Sequence, residues 1–576
     1  MPSRSNPKRT AGDHEEVGAI RKPWQARTRV VLVYPSQYAV GMANLGFQTV
    51  YKLLNGLDDL LCERAFLPEG GEAARGPLRS LESGRPLSDF HCVAFSISFE
   101  NDYPNVLSLL SRAGLPLSSA SRGLSLPLVM AGGVTCFLNP EPVAPFFDCF
   151  LLGEAEMLVP AFFSLFDPER PRREMLLALA QQVPGVYVPA FYREHYGTDG
   201  RLQAFEPQER APEKVKRVCV ADINAFNTQS VIHTPHTSFA EAHLIEVGRG
   251  CHHGCRFCSA GFIYRPPRIR TLPVLLEALR DGAGRADKIG LVGAAVSDLP
   301  GLKALCAEGG RLDVQLAFSS LRADAMDEDL VAALRAGRLK TATIAPETGS
   351  ERMRRVINKG LSEADILMAA EKLVAGGVPN LKLYFMVGLP TETEEDILAI
   401  AGLVKKIKHQ FLSSSRARGR MGEITVSVNP YVPKPATPFQ WAAMDELAVL
   451  KSKIQKIRNE LRKVSNVRVH ADVPKWSYLQ GIFSRGDRRV AQMLLQAHQN
   501  QGNWPQTLKA SVVNPSFFVH RERGLDELLP WDFIDHGLDK MFLWHEYQRA
   551  LAAKTTPPCP MVPDRCEICG VCGSDG

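Results

Sequence analysis

Apolar runs of strand length alternate with helix-like segments along most of the chain. Four near-continuous apolar runs, each ending in a turn, occupy residues 29–34, 92–98, 126–133 and 146–154. Strands buried on both faces of a parallel sheet have this composition. Because a helical segment at 46–54 follows the first run, we predict a doubly wound, Rossmann-like α/β domain over residues 28–160.

Six strand candidates separated by helical stretches follow in residues 241–440. They lie at 244–247, 288–292, 313–318, 341–344, 381–386 and 424–428. Six β/α units in series predict an open, partial (β/α)6 barrel, with reactive groups at the carboxyl ends of its strands. In the fifth candidate Lys382 and Tyr384 alternate with apolar residues, so we expect both to face the barrel interior. There they either contact substrate or, as we prefer, Lys382 pairs with Glu347.

The remaining segments have weaker patterns. Residues 1–27 are polar without apolar periodicity, which predicts a flexible tail. Residues 161–240 are interpreted as a connector that contains a hairpin-like turn at 197–200. Residues 441–550 predict an α-rich region with one strand-like run at 467–470, and residues 551–576 form a cysteine-rich tail.

Composition indicates a globular protein of more than one domain. The 576 residues are 45% apolar and 23% charged, and the net charge of +6 permits a nucleic-acid partner without arguing for one. Of the thirteen cysteines, seven occur in two tight groups, which is typical of a metal protein in a reducing compartment and excludes a disulfide framework. Since neither a signal-peptide core nor a long apolar span occurs, we expect the cytoplasm and no membrane.

The first cysteine group follows the first strand of the predicted barrel. Cys251, Cys255 and Cys258 have the spacing C-x3-C-x2-C, which lets one loop place three thiolates on three irons of a cubane. Such a cluster keeps its fourth iron open for a small ligand. Two alternatives remain: three cysteines that pack as small hydrophobes, or a zinc site with His252 or His253 as the fourth ligand.

With Phe257 before its last cysteine, this loop resembles the cluster loop of the radical S-adenosylmethionine superfamily. The resemblance implies an enzyme with a [4Fe-4S] cluster whose open iron binds the amino and carboxylate groups of S-adenosyl-L-methionine. It also implies reductive cleavage of that cofactor to methionine and a 5′-deoxyadenosyl radical. The whole chain is similar to an uncharacterised bacterial family of this superfamily with a cobalamin-domain-like N-terminus.

The turns after the later strands extend the resemblance. It implies that Gly293 and Ala294 receive the amino group of the cofactor, that Glu347 approaches the ribose hydroxyls, and that Gly388 and Pro390 lie near adenine. Independently of the family, Ser320 and Arg322 offer a hydroxyl and a cation to the methionine carboxylate. Together with Phe257 and strand-end Asn429, these residues make up the predicted cofactor site. No catalytic residue is assigned beyond the cluster.

The N-terminal domain is similar to the cobalamin-binding domains that precede such barrels. The matches are the strand into Tyr34, the pair Gly132-Gly133, and Gly153-Glu154 with Glu156. The motif D-x-H-x-x-G, whose histidine ligates cobalt, is absent, because the chain continues from His91 into a strand. Cobalamin bound without a protein histidine and a domain that has lost the cofactor both stay open.

The second cysteine group closes the chain. Cys559, Cys566, Cys569 and Cys572 have the spacing C-x6-C-x2-C-x2-C, which suits a zinc ion or a second iron–sulfur cluster, and the compact spacing favours the cluster. A cluster would relay electrons or anchor substrate, whereas zinc would only staple the tail.

We therefore predict a radical S-adenosylmethionine enzyme of unspecified substrate that needs an electron donor such as flavodoxin or ferredoxin. Methyl transfer is favoured if cobalamin binds, and sulfur insertion or another auxiliary-cluster reaction if it does not. The competing class is a non-catalytic iron–sulfur module that binds RNA or protein, supported only by the basic face of residues 451–463. The sequence does not indicate the oligomeric state.

Overall fold

Residues 15–25, 27–70, 76–239, 241–318, 321–336, 339–415, 422–561 and 566–572 are described by a computed structural model of the protein. Parallel sheets connected by helices form its two largest parts, so the predicted α/β class is confirmed. Among the residues so described, no helix combines the length and the apolarity that a membrane crossing requires.

The N-terminal sheet contains six strands: β1 (Thr28–Tyr34), β2 (Leu60–Phe66), β3 (Cys92–Ser96), β4 (Leu128–Gly132), β5 (Cys149–Leu151) and β6 (Val186–Tyr187). Their order is β2-β1-β3-β4-β5-β6, and only β6 is antiparallel to its neighbour. The helices are α1 (Tyr38–Met42), α2 (Leu45–Gly56), α3 (Tyr103–Arg112), α4 (Val134–Leu138), α5 (Ala155–Leu165) and α6 (Arg172–Gln182). The strand order reverses between β1 and β3, which is where open α/β sheets bind ligands.

Strand β2 was not predicted because its sequence contains charges. All seven of its residues are buried, including Glu63 and Arg64. Arg64 is 1% exposed and forms ion pairs of 2.7 Å with Glu16 and with Glu82. A buried cation needs such partners, and here they come from segments that are remote in sequence.

The segment before β1 is attached to this domain. Glu16 pairs with Arg64 as described, and Val17 forms an antiparallel bridge with His233. Residues 15–25 of the predicted flexible tail are therefore held by specific contacts, and residues 1–14 lie outside the described part of the chain.

The connector contains a β-hairpin. Strands β7 (Tyr192–Tyr196) and β8 (Leu202–Pro207) pair antiparallel around the turn at 197–200. Strand β9 (Val215–Lys216) pairs in parallel with a C-terminal strand at Ile534–Asp535, so the connector and the C-terminal region are joined.

The core begins with β10 (His243–Glu246), followed by β11 (Gly248–Arg249) and β12 (Arg268–Ile269), which pair with each other. Its other strands are β13 (Lys288–Val292), β14 (Gln315–Phe318), β15 (Thr341–Glu347), β16 (Asn380–Val387), β17 (Ile424–Pro430) and β18 (Val467–Ala471). The helices between them are α7 (Leu272–Ala283), α8 (Leu302–Arg311), α9 (Glu328–Ala336), α10 (Glu351–Val356), α11 (Glu363–Ala375), α12 (Glu394–Ser415) and α13 (Leu447–Leu461).

These strands confirm the partial barrel and add one member to it. Strands β10, β13 and β14 form one parallel sheet and β15 to β18 another, and a bridge between Leu321 and Ile344 links the two. The six predicted strands are all present, and β18 extends the series because it pairs in parallel with β17. The run at 467–470, which was assigned to the α-rich region, is thus part of the core sheet.

Alternation along β16 separates the two faces of this sheet. Leu381, Leu383 and Phe385 are 0% exposed and pack under the helices, whereas Lys382 and Tyr384 are half-buried on the opposite face. Successive side chains of a strand point to opposite faces, so the polar members line the inside of the partial barrel, as predicted.

The C-terminal region is mainly helical, with α14 (Pro474–Arg485), α15 (Val490–Gln499), α16 (Trp504–Ala510), α17 (Ser516–Val519), β19 (Ile534–Asp535) and α18 (Lys540–Leu551). Helix α18 packs on a separate apolar cluster that includes Trp441, Phe439 and Tyr431. Through this packing of α18, the residues that follow the helix reach the cysteine loop of the core.

Candidate active site

The first cysteine group lies on the loop between β11 and β12, just beyond the carboxyl end of β10. The antiparallel pairing of Gly248–Arg249 with Arg268–Ile269 closes this loop at its base. Gly250 has a φ of +83°, and a Cβ there would lie 2.8 Å from the carbonyl oxygen of Tyr264. Only glycine combines this backbone conformation with so close an approach.

The three cysteine thiols lie close enough to one another for their charges to interact. Burial raises the pKa of Cys251 to about 11 and that of Cys258 to about 12, and neighbouring thiols raise both further. Burial also raises the pKa of Cys255, while the cations of Lys359 and Arg322 oppose that shift. Metal or cluster binding therefore has to displace protons from these thiols.

The two histidines of the loop turn to a different partner. His253 Nε2 lies 2.6 Å from Asp298 Oδ2, and His252 Nε2 lies 3.6 Å from the same atom. These three groups offer ligand atoms within 4.8 Å of one another. The open alternative of a zinc ion bound by the three cysteines and one histidine would require an imidazole to leave Asp298.

Arg256 fixes the loop from inside. Its side chain is 0% exposed and donates to the carbonyl oxygens of Arg355 and Val356 at the end of α10, at 3.0 and 2.9 Å. It also pairs with Glu546 of α18 at 3.0 Å. Because all these partners lie far along the chain, the loop is held by the core and by the C-terminal helix together.

The glutamate predicted to meet the ribose lies at the end of β15. Glu347 has a φ of +66° at an irregularity in the pairing of β15 with β16, and it forms a 3.0 Å ion pair with Lys359. The prediction that Lys382 is its partner is wrong, since Lys382 Nζ lies 4.9 Å from the ring centre of Tyr384 instead. Lys359 therefore connects this carboxylate to the neighbourhood of Cys255.

The turn after Glu347 contains Gly349, and the structure gives a steric reason for a glycine at this position. A Cβ on Gly349 would lie 2.1 Å from the backbone nitrogen of Ile400 in α12, so the helix packs directly on the turn. Ser350 caps α10 by accepting from the Met353 N–H and donates to Asp396. The motif therefore has a packing role as well as a site role.

Arg322 lies beyond the end of β14 with its guanidinium towards the cysteine loop. It donates to both oxygens of Asp324, at 3.0 and 2.8 Å, and to the Lys359 carbonyl oxygen at 3.3 Å. Ser320, the predicted hydroxyl donor, lies outside the described residues. Gly293 and Ala294 follow β13, and a Cβ on Gly293 would lie 2.7 Å from a methyl carbon of Val247.

The turn after β16 is held by Glu392, a residue to which the family resemblance assigned no role. Gly388 has a φ of +86°, and its N–H donates to Glu392 at 2.7 Å. Glu392 is paired at 2.7 Å with Lys453 of α13, so the turn with Pro390 is anchored to that helix.

The last two predicted residues are Asn429 and Phe257. The side-chain amide of Asn429, at the end of β17, lies 3.3 Å from Asp472 and donates to it when its oxygen and nitrogen are exchanged. Phe257 packs in the apolar cluster of α18 and supports the loop from behind. Its place indicates a supporting contact rather than a ligand.

An apolar cavity of about 550 Å³ joins the two domains. On the N-terminal side it is lined by residues at the carboxyl ends of the strands, including Ala94, Ser96 and Gly132. On the core side it reaches Gly250 of the cysteine loop and Gly293. The volume is in the range that holds small-molecule ligands.

Arg249 ties the cysteine loop to the N-terminal domain at this cavity. It pairs with Glu154 at 2.8 Å, with Glu156 at 2.5 Å and with Glu246 of β10 at 2.8 Å, and its side chain is 11% exposed. Arg268 adds a second pair to Glu154 at 2.6 Å. The two glutamates that suggested a cobalamin domain are thus partners of the loop beside the cysteines.

The C-terminal cysteines gather next to the same loop. Burial raises the pKa of Cys572, as do the nearby thiols of Cys569, Cys566 and Cys559, so the four groups lie in one another's field. The N–H of Cys559 donates to the His252 carbonyl oxygen at 2.8 Å. The two cysteine groups, about three hundred residues apart in sequence, are neighbours in space.

Comparison with known proteins agrees with this geometry. A family model described as the radical SAM superfamily matches residues 245–404, and one described as the N-terminal part of radical SAM proteins matches residues 46–189. Uncharacterized protein MJ0966 of Methanocaldococcus jannaschii is 30% identical over 470 residues, which cover 81% of this chain and 90% of that protein. The chain belongs to the radical S-adenosylmethionine superfamily. Its predicted membership and enzyme class are therefore confirmed.

Other relatives of this radical S-adenosylmethionine protein are more distant. The tRNA-2-methylthio-N(6)-dimethylallyladenosine synthase of Thermotoga petrophila is 25% identical over 236 residues, 38% of this chain and 52% of that one. Among solved structures, the methyltransferase TsrM of Kitasatospora setae with cobalamin and a [4Fe-4S] cluster is 11% identical with a TM-score of 0.48, covering 82% of this chain and 100% of that chain. Cobalamin-dependent OxsB with aqua-cobalamin and S-adenosylmethionine is 11% identical with a TM-score of 0.44, covering 91% and 80%.

Several residues of the site were missed by the sequence analysis of this superfamily member. Lys359, Arg256, Asp298 and Arg249 carry ion pairs that hold the loop or its surroundings. A signal existed only for Lys359, which follows the Glu347 turn closely. The others act through partners remote in the chain, which no local pattern reveals.

Proposed function

We propose that Cys251, Cys255 and Cys258 bind a [4Fe-4S] cluster that is used to cleave S-adenosylmethionine and start a radical modification of a small substrate. The observation that carries this proposal is the position of the three cysteines: they lie on one loop beyond the carboxyl end of β10, with the charges of Arg322, Lys359 and Glu347 near Cys255. When bound, the cluster supplies one electron that splits the sulfonium into methionine and a 5′-deoxyadenosyl radical.

The surrounding charges suit the polar parts of S-adenosylmethionine. Arg322 lies beside Cys255 and presents a planar fork that matches a carboxylate in two hydrogen bonds. Its present partner, Asp324, is partly exposed, so the guanidinium can exchange it for the methionine carboxylate. Glu347 can accept from ribose hydroxyls while Lys359 holds it in place. The turns at Gly293 and Gly388 supply backbone at the amino and adenine ends.

The cavity between the domains is the proposed substrate chamber. Its walls are mostly apolar and reach Gly250 and Gly293, so a substrate there would lie next to the proposed cofactor site. Arg249, paired with Glu154 and Glu156, forms part of its lining. A radical generated at the loop would thus form beside a substrate that contacts apolar walls.

The cavity lining does not provide an imidazole for cobalamin. Among the described lining residues there is no histidine, and His91 lies at the opposite, amino end of β3, where it bonds to Arg29. The described lining residues would therefore offer cobalamin no histidine ligand, so we derive no step through it. Binding of hydroxocobalamin, followed by its absorption spectrum, decides between a methyl-transfer reaction and a reaction without cobalamin, such as sulfur insertion.

The alternative, a non-catalytic iron–sulfur module for RNA or protein, has less support. Two lysines of the basic helix face are engaged: Lys453 pairs with Glu392 and Asp445, and Lys456 pairs with Glu394. Cations that already hold acids contribute less to binding a phosphate backbone.

Anaerobic reconstitution tests the proposal directly. With dithionite and S-adenosylmethionine we expect release of 5′-deoxyadenosine, and Cys255→Ser should reduce it to the level without protein. Cys306→Ser, which changes a scattered half-buried thiol, is the matched control. A Cys255→Ser protein that still released 5′-deoxyadenosine would contradict the proposal, and a wild-type protein that bound RNA but released none would favour the module.

The cellular setting follows from the same chemistry. We place the protein in the cytoplasm, because cysteines that ligate iron must stay reduced. A low-potential donor such as flavodoxin or ferredoxin would deliver the electron that dithionite supplies in the test.

A further inference from the structure

Two histidines and one aspartate converge on one point beside the cysteine loop. His253 Nε2 lies 2.6 Å and His252 Nε2 lies 3.6 Å from the same oxygen, Asp298 Oδ2. One ligand atom from each of the three groups lies within 4.8 Å of the other two. Because each ligand atom lies about 2.0–2.2 Å from an ion such as zinc, three atoms at this spacing need only small shifts to bind one ion.

An ordinary ion pair does not account for the second imidazole. A proton on His253 Nε2 satisfies the carboxylate at 2.6 Å, whereas His252 at 3.6 Å is beyond hydrogen-bond distance of the same oxygen. The two imidazole rings are nevertheless held with their centres 4.0 Å apart. Only one of them shares a proton with this oxygen, whereas a metal ion in the same place would bind all three groups.

The ligand groups are held in position by further contacts. The carbonyl oxygen of His252 accepts from the Cys559 N–H at 2.8 Å, which fixes the backbone of this histidine. The other carboxylate oxygen of Asp298, Oδ1, accepts from Ser297 Oγ at 3.3 Å, so Oδ2 is the oxygen that faces the histidines. Contacts of this kind orient the ligands of metal sites before the ion binds.

The local charge favours a cation. The charges of Asp298, Arg322 and Asp324 all act on His252. Arg322 and Asp324 pair with each other at 2.8 Å, so the carboxylate of Asp298 is the charge left over. Two neutral imidazoles and one carboxylate together offset part of the charge of a divalent ion.

Space for an ion lies at the same place. His252 and Asp298 line a small cavity of about 30 Å³, which is large enough for one ion or one water molecule. Cys251 and Gly293 line the same cavity. The site therefore lies between the cysteine loop and the turn after β13, next to the proposed cluster.

We propose that His252, His253 and Asp298 bind one divalent transition-metal ion that is separate from the cluster of the cysteines. Two histidines with one carboxylate are the set that binds mononuclear non-haem iron(II), and imidazole also suits zinc. Three protein ligands leave at least one coordination position open for water or substrate, as in catalytic rather than structural metal sites. The site does not depend on the function proposed above, because none of its ligands is a cysteine.

Manganese(II) is the probe for this site. It prefers nitrogen and oxygen ligands to thiolates, so the two cysteine groups should not take it up. We expect the anaerobically reconstituted full chain to bind one Mn²⁺, measured by loss of the electron paramagnetic resonance signal of the free ion. Asp298→Asn should weaken this binding at least about tenfold. His195→Gln, which breaks an exposed histidine–glutamate pair at 3.3 Å, is the matched control and should not change it.

Electron spin-echo modulation of the bound Mn²⁺ identifies its ligands in the unsubstituted protein. The spectrum should show two imidazole nitrogens in the wild type and one in His253→Gln. A wild type that binds no Mn²⁺, equal binding by Asp298→Asn and the wild type, or bound Mn²⁺ without imidazole nitrogen would overturn the site.

Cys255→Ser separates this site from the cluster. We expect the variant to lose 5′-deoxyadenosine release and to keep its Mn²⁺ and both imidazole nitrogens. Loss of Mn²⁺ binding in Cys255→Ser would show that a thiol takes part and would contradict a separate site. Failure of the proposed function would appear instead as 5′-deoxyadenosine release by Cys255→Ser, whatever the manganese result.

Discussion

The N-terminal domain and the core both carry a parallel sheet whose carboxyl edge faces the interdomain cavity, yet the two edges differ in chemistry. The core edge has three thiols, the Glu347–Lys359 pair and Arg322. The N-terminal edge is lined mainly by small and apolar residues such as Ala94 and Gly132. The same topology thus places ligating and charged groups at one edge and mainly small or apolar cavity-lining residues at the other.

The difference teaches that topology decides where a site lies and the residues after each strand decide what it does. Parallel strands bring their carboxyl ends to one edge in both domains. The core edge holds the cysteine loop and Arg322, whereas the charged residues of the N-terminal edge, Glu154 and Glu156, are paired with Arg249 of the core. Arg249 connects the two edges. A substitution at Arg249 tests that connection, and substitutions at either edge test how the two edges differ.

The largest effect is expected at Arg249, which connects the two domains. Arg249→Met leaves the buried Glu156 without its ion-pair partner, while Arg268 and Arg270 still pair with Glu154 and Glu246, and it should cost about 3–5 kcal/mol of unfolding free energy. Urea unfolding followed by circular dichroism measures it. Arg285→Met removes a surface pair with Asp281, whose side chains are 52% and 37% exposed, and should cost less than about 1 kcal/mol. Equal losses in the two variants would contradict this assignment.

Next is the packing under the core edge. Gly349→Ala puts a methyl group 2.1 Å from the backbone of α12, which should destabilise the core by about 3 kcal/mol. Gly402→Ala, in the same helix with nothing within 4 Å, should instead raise stability by up to about 1 kcal/mol. Thermal unfolding compares the pair. A neutral Gly349→Ala would show that the motif glycine has no packing role.

The charged pair of the core edge should matter for the reaction more than for the fold. Glu347→Gln keeps the shape of the side chain and removes the charge that holds Lys359, a loss of about 1.5–3 kcal/mol in a charge-assisted contact. We expect 5′-deoxyadenosine release to fall about 10–100-fold, since each 1.4 kcal/mol is tenfold. Glu460→Gln, which breaks an exposed pair with Lys405, should leave release unchanged.

The smallest effect concerns an acid of the N-terminal domain. Burial and the nearby carboxylate of Glu100 raise the pKa of Asp102 to about 7. The native state therefore binds this proton more tightly than the unfolded chain does, so stability falls as pH rises from about 4 to about 7 and is level above. Asp102→Asn should raise the melting temperature at pH 8 by about 2–4 °C and change it little at pH 4. A gain of equal size at both pH values would exclude titration as its cause.

Much of the fold was predictable because buried parallel strands are apolar throughout. The runs at 29–34, 92–98 and 381–386 became β1, β3 and β16 with small shifts of their ends. Strand β2 was not predicted because Arg64 interrupts its apolar run. The burial of Arg64 depends on Glu16 and Glu82. A propensity pattern cannot register a charge whose partner lies elsewhere in the chain.

Only part of the site was predictable from the sequence. Glycine and glutamate turns after β15 and β16 were located from their motifs, and Gly349 and Gly388 have evident steric reasons to be glycine. The partner of Glu347 was assigned wrongly, because the alternation of β16 shows which face Lys382 takes but not which acid it meets. Lys359 reaches Glu347 only once the turn after β15 has folded back.

By itself, the sequence determined the local chemistry: the spacing of Cys251, Cys255 and Cys258, the four cysteines of the tail, and the strands that present the loop. Tertiary structure alone decided which of these meet. Arg256 and Asn358 bring the tail against the loop, and Arg249 brings the N-terminal domain to it. The physical reason is that spacing within a loop is set by bond lengths and backbone angles, whereas contacts across hundreds of residues exist only after the sheets and helices have packed.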